Sequence, residues 1–143
     1  MNTPGRIINV AILGSLLVGF AFSTAAQTKR GATRIRFKRG ESSTTVKGRL
    51  SSRKLERVFL IGAQTGQEMH LKITARTSDG LDFALLLLYD PSHKPLGNTQ
   101  DDLRIRLKQT GDYRLEISPP GSFYSEKVKG YKELQFTLFV GIQ

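Results

Sequence analysis

Few side chains in this chain could carry out catalysis. It contains no cysteine and only two histidines, His70 and His93. Neither histidine belongs to a metal-ligand pattern such as HExxH, and no serine lies in a GxSxG nucleophile elbow. A Ser-His-Asp triad is recognised by geometry and not by sequence order, so residue types alone leave one open. The pattern favours a protein that is not an enzyme, with no catalytic residues and no cofactor.

Five aspartates lie in predicted loops around the most apolar segment of the chain. Oxygen-rich loops at one end of a β-structure can bind calcium, although the spacing here matches no EF-hand loop. Aspartate is also common in turns, because its carboxylate accepts hydrogen bonds from nearby backbone N–H groups. We predict no metal site and keep calcium as the alternative for Asp79, Asp82, Asp90, Asp101 and Asp102.

Basic residues are the most suggestive surface feature. The chain has 22 lysines and arginines against 12 acidic residues, a formal net charge of +10, which favours anionic partners. Several basic residues alternate with apolar ones, so they point to one side of their strands. Such side chains also decorate exposed or edge strands without binding anything. The candidate anion-binding or partner-binding residues are Arg34, Arg36, Lys38, Arg104, Arg106, Lys108 and Arg114.

Two of these arginines are predicted to face each other. If residues 103–108 and 112–117 form a hairpin, Arg106 lies opposite Arg114. A like-charged pair at such a position is destabilising unless an anion or carboxylate lies nearby. The aromatic residues fall mainly at inward positions, whereas readers of nucleic acids expose aromatic side chains for base stacking. The pattern therefore predicts attraction of anionic groups and no sequence-specific recognition of nucleic acid.

The elements that carry these residues are predicted to be strands. Beyond residue 33, apolar and polar residues alternate in short runs separated by turn residues, with no apolar stripe of helical period. Residues 83–89, FALLLLY, are apolar throughout and predict a central strand covered on both faces. About eight strands in residues 34–143 indicate one all-β domain, an antiparallel β-sandwich or jelly roll. The predicted core is Phe37, Phe59, Ile61, Leu71, Ile73, Leu85, Leu87, Ile105, Leu115, Phe136 and Leu138.

The N-terminal segment is typical of a secretory signal peptide. One basic residue precedes an apolar block at residues 7–22, and Thr24 and Ala26 stand at the −3 and −1 positions of a cleavage site. We predict that residues 1–26 are this signal peptide and that residues 27–33 are a flexible lead-in. The alternative is an uncleaved anchor, although the uninterrupted apolar stretch is shorter than the roughly 20 residues of a spanning helix.

Export has consequences for the mature chain. Cleavage removes one charged residue, Arg6, which leaves 21 basic and 12 acidic side chains and a net charge of +9. Because there is no cysteine, the fold has no disulfide framework and depends on packing. We predict a periplasmic or extracellular protein with no integral membrane span after cleavage.

Several short motifs occur together in an order that resembles a known family. They are I-x-F-x-x-G-x-S-S from Ile35, V-x-G-x-L from Val46, F-x-I-x-A-x-x-G-Q-x-M from Phe59, Y-D-P-S-H-K-P-L from Tyr89 and T-G-D-Y-R-L-E-I from Thr110. This order resembles the bacterial pre-peptidase C-terminal type of β-sandwich, including its stand-alone secreted members, to which the inhibitors of g-type lysozyme are similar. The resemblance covers roughly residues 34–140. It implies a non-enzymatic accessory or binding domain.

The motif residues also have structural roles of their own. Pro91 and His93 belong to a predicted turn, where His is among the residues that tolerate a left-handed backbone. Tyr113 follows a turn and is similar to the tyrosine corner of a sandwich, whose hydroxyl bonds to nearby backbone. Positive φ angles are predicted at Gly66, Gly97 and Gly111.

Two functional hypotheses follow. The first is a non-catalytic binding module of the cell envelope, whose basic faces attract an anionic polymer or an acidic protein. The alternative, implied by the resemblance, is an inhibitor of a cell-wall hydrolase. Lysozymes are usually cationic, so a basic inhibitor would meet like-charge repulsion during encounter.

The inhibitor alternative comes with a candidate contact loop. In the lysozyme-inhibitor subgroup a Ser-Gly-x(-x)-Tyr loop enters the cleft of the target. Near matches occur at residues 110–113 and 120–124, and the second lies in an exposed-looking loop that suits a protruding contact. The inhibitor-loop candidates are therefore Gly121, Ser122, Phe123 and Tyr124.

Overall fold

Strands form all the regular structure in the part of the chain that the computed structural model describes, residues 31–51, 53–77, 84–119 and 133–143. None of these residues belongs to a helix that could cross a membrane. The predicted signal peptide lies outside the described residues. The strands are β1 (Ala32–Arg34), β2 (Ser43–Leu50), β3 (Arg57–Ala63), β4 (Glu68–Thr77), β5 (Leu85–Tyr89), β6 (Pro95–Thr99), β7 (Asp102–Arg106), β8 (Gly111–Ser118) and β9 (Leu134–Ile142).

The strands build a β-sandwich of two sheets. The first sheet has the order β1-β3-β8-β5-β6, and the second has the order β2-β9-β4-β7. Neighbouring strands run antiparallel except for β1 and β3, which are parallel. The predicted all-β sandwich is therefore confirmed, with nine described strands instead of about eight.

The inner faces of the two sheets share one apolar core. In β4, Met69, Leu71 and Ile73 are buried and alternate with polar residues that face outward, as expected for a half-buried strand. Phe59 of the first sheet meets Phe136 of the second edge to face, with ring centroids 6.2 Å apart. The Phe136 ring packs directly against the backbone of Gly48. A Cβ at this position would stand 2.3 Å from the ring, so the packing requires glycine.

The predicted core is wrong by one residue along β5. Leu86 and Leu88 are fully buried, whereas Leu85 and Leu87 are only half-buried on the outer face. A run that is apolar at every position lacks the alternation that tells the two faces of a strand apart. Phe37 and Ile105 also lie at the margin, partly buried against the core.

Two strands differ from the sequence-based prediction. The sequence does not predict β6, because Pro95 and Gly97 are typical of turns; proline is tolerated here as the first residue of an edge strand. In the region predicted as a strand over residues 34–38, only Arg34 belongs to β1. The strand begins at Ala32, inside the predicted lead-in, because it pairs with β3.

The connections lie at two ends of the sandwich. At one end, Ser118 at the end of β8 pairs with Leu85 at the start of β5, and Ile117 pairs with Arg57 at the start of β3. Because β8 ends here, we call it the β8–β9 end. The opposite end carries the turn between β7 and β8, and we call it the β7–β8 end.

Candidate functional site

The tyrosine at the β7–β8 end has a structural role. Tyr113 is fully buried, and its hydroxyl donates a hydrogen bond to the backbone carbonyl of Gln109 at 2.6 Å. This geometry confirms the predicted tyrosine corner. The buried side chain of Tyr113 is not available to contact a partner protein. The candidates at residues 121–124 lie outside the described residues.

The turn from β5 to β6 forms as the sequence predicts. The buried carboxylate of Asp90 accepts backbone N–H bonds from Ser92 at 2.8 Å and from Lys94 at 2.9 Å. His93 has the predicted left-handed backbone, with φ of 64°. The φ angles of Gly66 and Gly111 are also positive, whereas the prediction for Gly97 is wrong because that residue lies within β6.

The predicted hairpin does not form. Arg106 lies in β7 of the second sheet opposite Glu68, whereas Arg114 lies in β8 of the first sheet between Leu60 and Tyr89. The chain crosses between the sheets after β7, where Leu107 is buried and its backbone N–H donates to the carbonyl of Gln67, the residue before β4. The two arginines therefore never face each other.

Arg34 is held by a carboxylate of its own sheet. Its Nη1 donates to Asp112 Oδ1 at 2.8 Å, and Nη2 makes a second bond to the other oxygen. The pair spans from β1 to β8 over Gly62 of β3, which has no side chain to block it. The hydrogen bond from Arg34 lowers the pKa of Asp112 below its usual value.

Arg114 is also paired with carboxylates. Its Nε donates to Glu116 Oε1 at 2.5 Å, a second carboxylate on Glu56 lies 3.8 Å away, and the arginine side chain is only 24% exposed. The Tyr89 hydroxyl beside this pair has a pKa above its ordinary value, mainly because burial disfavours the phenolate. Neither Arg114 nor Arg34 presents an open cation to a ligand.

The other predicted anion-binding residues are exposed and belong to different elements. Arg104 and Arg106 lie on the outer face of the second sheet, with Arg104 Nε 3.8 Å from Asp102 Oδ1. The remaining three lie in connections outside the strands: Arg36, Lys38 and Lys108.

The histidine at position 70 joins two strands. His70 Nε2 lies 2.7 Å from Asp102 Oδ2, and its ring packs on the edge of Phe139 with centroids 5.3 Å apart. The hydrogen bond to His70 lowers the pKa of Asp102. This pair tethers β7 to β4. In the strand register His70 lies opposite Arg104.

Two of the predicted loop carboxylates have local partners. Asp90 caps its own turn and Asp102 binds His70, while Asp79 and Asp82 lie outside the described residues. Across the described ranges, no group of three or more histidine or carboxylate side chains is placed to hold a metal ion.

A groove of about 760 Å³ crosses the outer face of the second sheet, a volume typical of ligand-binding clefts. It lies across β2, β9 and β4, near the end of the second sheet where β4 ends and β9 begins. One cross-strand row joins Lys47, Thr137 and Thr74.

The next row of the groove is more basic. It joins Arg49 of β2, Gln135 of β9 and Arg76 of β4. Gln100 and Asp101 complete the lining from the β6–β7 turn.

The sequence analysis did not predict this groove, although basic residues on one side of two predicted strands are visible in the sequence. Lys47 and Arg49 alternate along one predicted strand, and Lys72 and Arg76 lie on one side of another. Only the position of β9 between these strands shows that the two sets share a surface.

Comparisons with known proteins identify the fold. No protein-family model matches the chain, and no curated protein matches it by sequence. Its structure is similar to that of Aeromonas hydrophila PliG, a periplasmic inhibitor of g-type lysozyme, at 18% identity and a TM-score of 0.59, covering 78% of this chain and 96% of that one. It is also similar to that of Salmonella Typhimurium PliG, a periplasmic inhibitor of g-type lysozyme, at 17% identity and a TM-score of 0.56, covering 78% of this chain and 97% of that one.

A third similar structure is the pre-peptidase C-terminal domain of a collagenase from Bacillus anthracis, at 16% identity and a TM-score of 0.51, covering 78% of this chain and 94% of that one. At these identities the likeness concerns the fold. The resemblance seen in the sequence motifs is confirmed, and the chain is a β-sandwich of the type found in PliG lysozyme inhibitors and pre-peptidase C-terminal domains.

Proposed function

We propose that this chain is an exported, non-catalytic protein inhibitor of a cell-wall hydrolase of the g-type lysozyme class. The observation that carries the proposal is the match to nearly the whole length of periplasmic lysozyme inhibitors, 96% of one such chain. The first hypothesis from the sequence, binding of an anionic polymer or an acidic protein by Arg34, Arg114 and the other predicted cations, has less support. These two arginines are paired with carboxylates, and the others belong to different elements.

The burial of one tyrosine supports one of the two candidate loops for the hydrolase contact. Of the two near matches to a Ser-Gly-x(-x)-Tyr loop, the one at residues 110–113 ends in a buried tyrosine. We therefore assign the contact to Gly121, Ser122, Phe123 and Tyr124, in the segment that leaves β8 at the β8–β9 end. Large aromatic side chains are the residues that most often dominate the binding energy of an interface.

The test is inhibition of a g-type lysozyme by the purified mature protein, followed as clearing of a cell-wall suspension. We expect inhibition at stoichiometric concentrations and at least about a tenfold loss for Tyr124→Ala, as for a hot-spot residue. The matched control is Leu96→Ala, which truncates an exposed apolar side chain on edge strand β6. This variant should inhibit like the wild type.

Salt provides a second readout of the same complex. A mature charge of +9 slows encounter with a cationic lysozyme, and salt screens this repulsion. The association rate should therefore rise with ionic strength. Absence of inhibition at any salt concentration would refute the proposed function, whereas equal inhibition by Tyr124→Ala and wild type would refute only the assigned loop.

A further inference from the structure

We propose that the groove on the outer face of the second sheet binds an acidic polysaccharide chain. This groove is lined by described residues of β2, β4, β9 and the β6–β7 turn, whereas the residues assigned to hydrolase inhibition lie outside the described part of the chain. It also contains none of the seven cations that the sequence suggested for anion binding.

The charge of the groove favours an anion. Among the described lining residues, Lys47, Arg49 and Arg76 are basic and Asp101 is acidic. Arg49 Nε lies 3.1 Å from Glu133 Oε1, yet the arginine side chain is 71% exposed and keeps donors for a ligand. Lys47 forms no ion pair within the described part of the chain. Arginine and lysine at this spacing can hold carboxylates through charge-assisted hydrogen bonds.

The neutral side chains favour a sugar as the carrier of that anion. Thr74, Thr137, Gln100 and Gln135 line the same groove. Hydroxyl and amide groups both donate and accept hydrogen bonds, which suits the many hydroxyls of a saccharide. These groups alternate with the cations across three strands that are about 4.8 Å apart, so a ligand lying across the sheet meets several of them in turn.

An acidic peptide fits the groove less well than a saccharide. Sheets bind extended peptides by adding a strand at a free edge, but the groove lies over β9, which is paired with β2 and β4 on both sides. The backbone groups of the central strand are therefore occupied. The inward residues Ile73, Ala75 and Phe136 are buried in the core and offer no pocket to a peptide side chain.

The test measures binding of the purified exported protein to oligogalacturonate, a carboxylated saccharide, by calorimetry at two salt concentrations. We expect binding that weakens with salt and weaker binding of neutral maltooligosaccharides. The variant Lys47→Gln/Arg49→Gln should lose at least about tenfold in affinity, since each cation removed contributes charge-assisted hydrogen bonds. Lys47→Gln alone changes one exposed residue and should show part of this loss in affinity. It provides the measurement if the double variant is unstable.

The matched control is Arg104→Gln/Arg106→Gln, which removes the same charge from the same face of the same sheet but outside the groove. We expect this control to bind like the wild type. A similar loss in both double variants would show that net charge alone attracts the ligand and would overturn the proposal.

Binding of polyglutamate, a carboxylated peptide, distinguishes recognition of the sugar from recognition of carboxylates alone. Gln135→Ala should weaken binding of oligogalacturonate, because the amide is placed to bond to sugar hydroxyls. Polyglutamate bound as tightly as oligogalacturonate would refute recognition of the sugar. Both results are independent of lysozyme inhibition, which the groove variants should retain.

Discussion

At the scale of single residues, the tyrosine corner explains why Tyr113 is part of the scaffold and not of an interface. Its hydroxyl is both bonded to the Gln109 carbonyl and buried, so removing it costs a hydrogen bond and leaves that carbonyl with one partner fewer. We expect Tyr113→Phe to lower the free energy of unfolding by about 1 kcal/mol, measured by urea denaturation. Tyr89→Phe, which removes a half-buried hydroxyl beside Glu116 on the outer face of β5, should cost less, because water can replace its hydrogen bond.

If the two tyrosine variants are equally stable, the buried corner bond contributes no more to stability than the hydroxyl of Tyr89. The same measurement bears on function, because the Tyr113→Phe variant should still inhibit the hydrolase fully. A loss of inhibition without loss of stability would bring residues 110–113 back as a contact loop.

At the scale of elements, β5 shows which of its leucines hold the sandwich together. Leu86 and Leu88 point into the core and are fully buried, whereas Leu85 and Leu87 are half-buried on the outer face. We expect Leu86→Ala to destabilise the protein by about 2–5 kcal/mol, the range for a buried large-to-small substitution. Leu85→Ala, one residue away, should cost clearly less because its side chain keeps contact with water in the folded state.

Urea denaturation of the two leucine variants gives the comparison directly, since the chemical change is identical. Equal destabilisation would mean that the outer face of β5 is covered as completely as the inner face. A larger effect of Leu85→Ala would reverse the assignment of the faces.

At the scale of the whole molecule, each sheet contains an aspartate that stabilises the fold only when ionised. The hydrogen bonds from Arg34 and from His70 lower the pKa values of Asp112 and Asp102 below 3.8. As the pH falls, the unfolded chain therefore takes up protons before the folded protein does. The stabilisation is complete above about pH 5 and is lost as the pH falls through the folded pKa values.

We expect the urea midpoint of the wild type to fall between about pH 5 and pH 2, and to fall less steeply in an Asp102→Asn/Asp112→Asn variant. Glu41→Gln, in an exposed turn, is the control and should follow the wild type. A double variant with the wild-type pH profile would show that the two pairs contribute nothing to acid sensitivity.

Local features of the fold could be predicted from the sequence because they depend on residues that are close along the chain. Alternation predicts most of the strands and their buried faces, and turn chemistry predicts the positive φ of His93 and Gly66. The alternation rule fails in β5, where four successive leucines give no difference between the two faces. It also misses β6, because Pro95 and Gly97 at an edge look like turn residues.

The candidate sites depended on the tertiary structure, for a physical reason. Alternation shows which residues share one side of a strand, but it does not show which strands are neighbours. The pairing of Arg34 with Asp112 and the placement of Lys47 and Arg49 beside Arg76 both follow from strand order. The sequence by itself determined an all-β sandwich with a basic surface. Only the tertiary structure decided which cations are neutralised by carboxylates and which line a common groove, because these contacts join residues far apart in the chain.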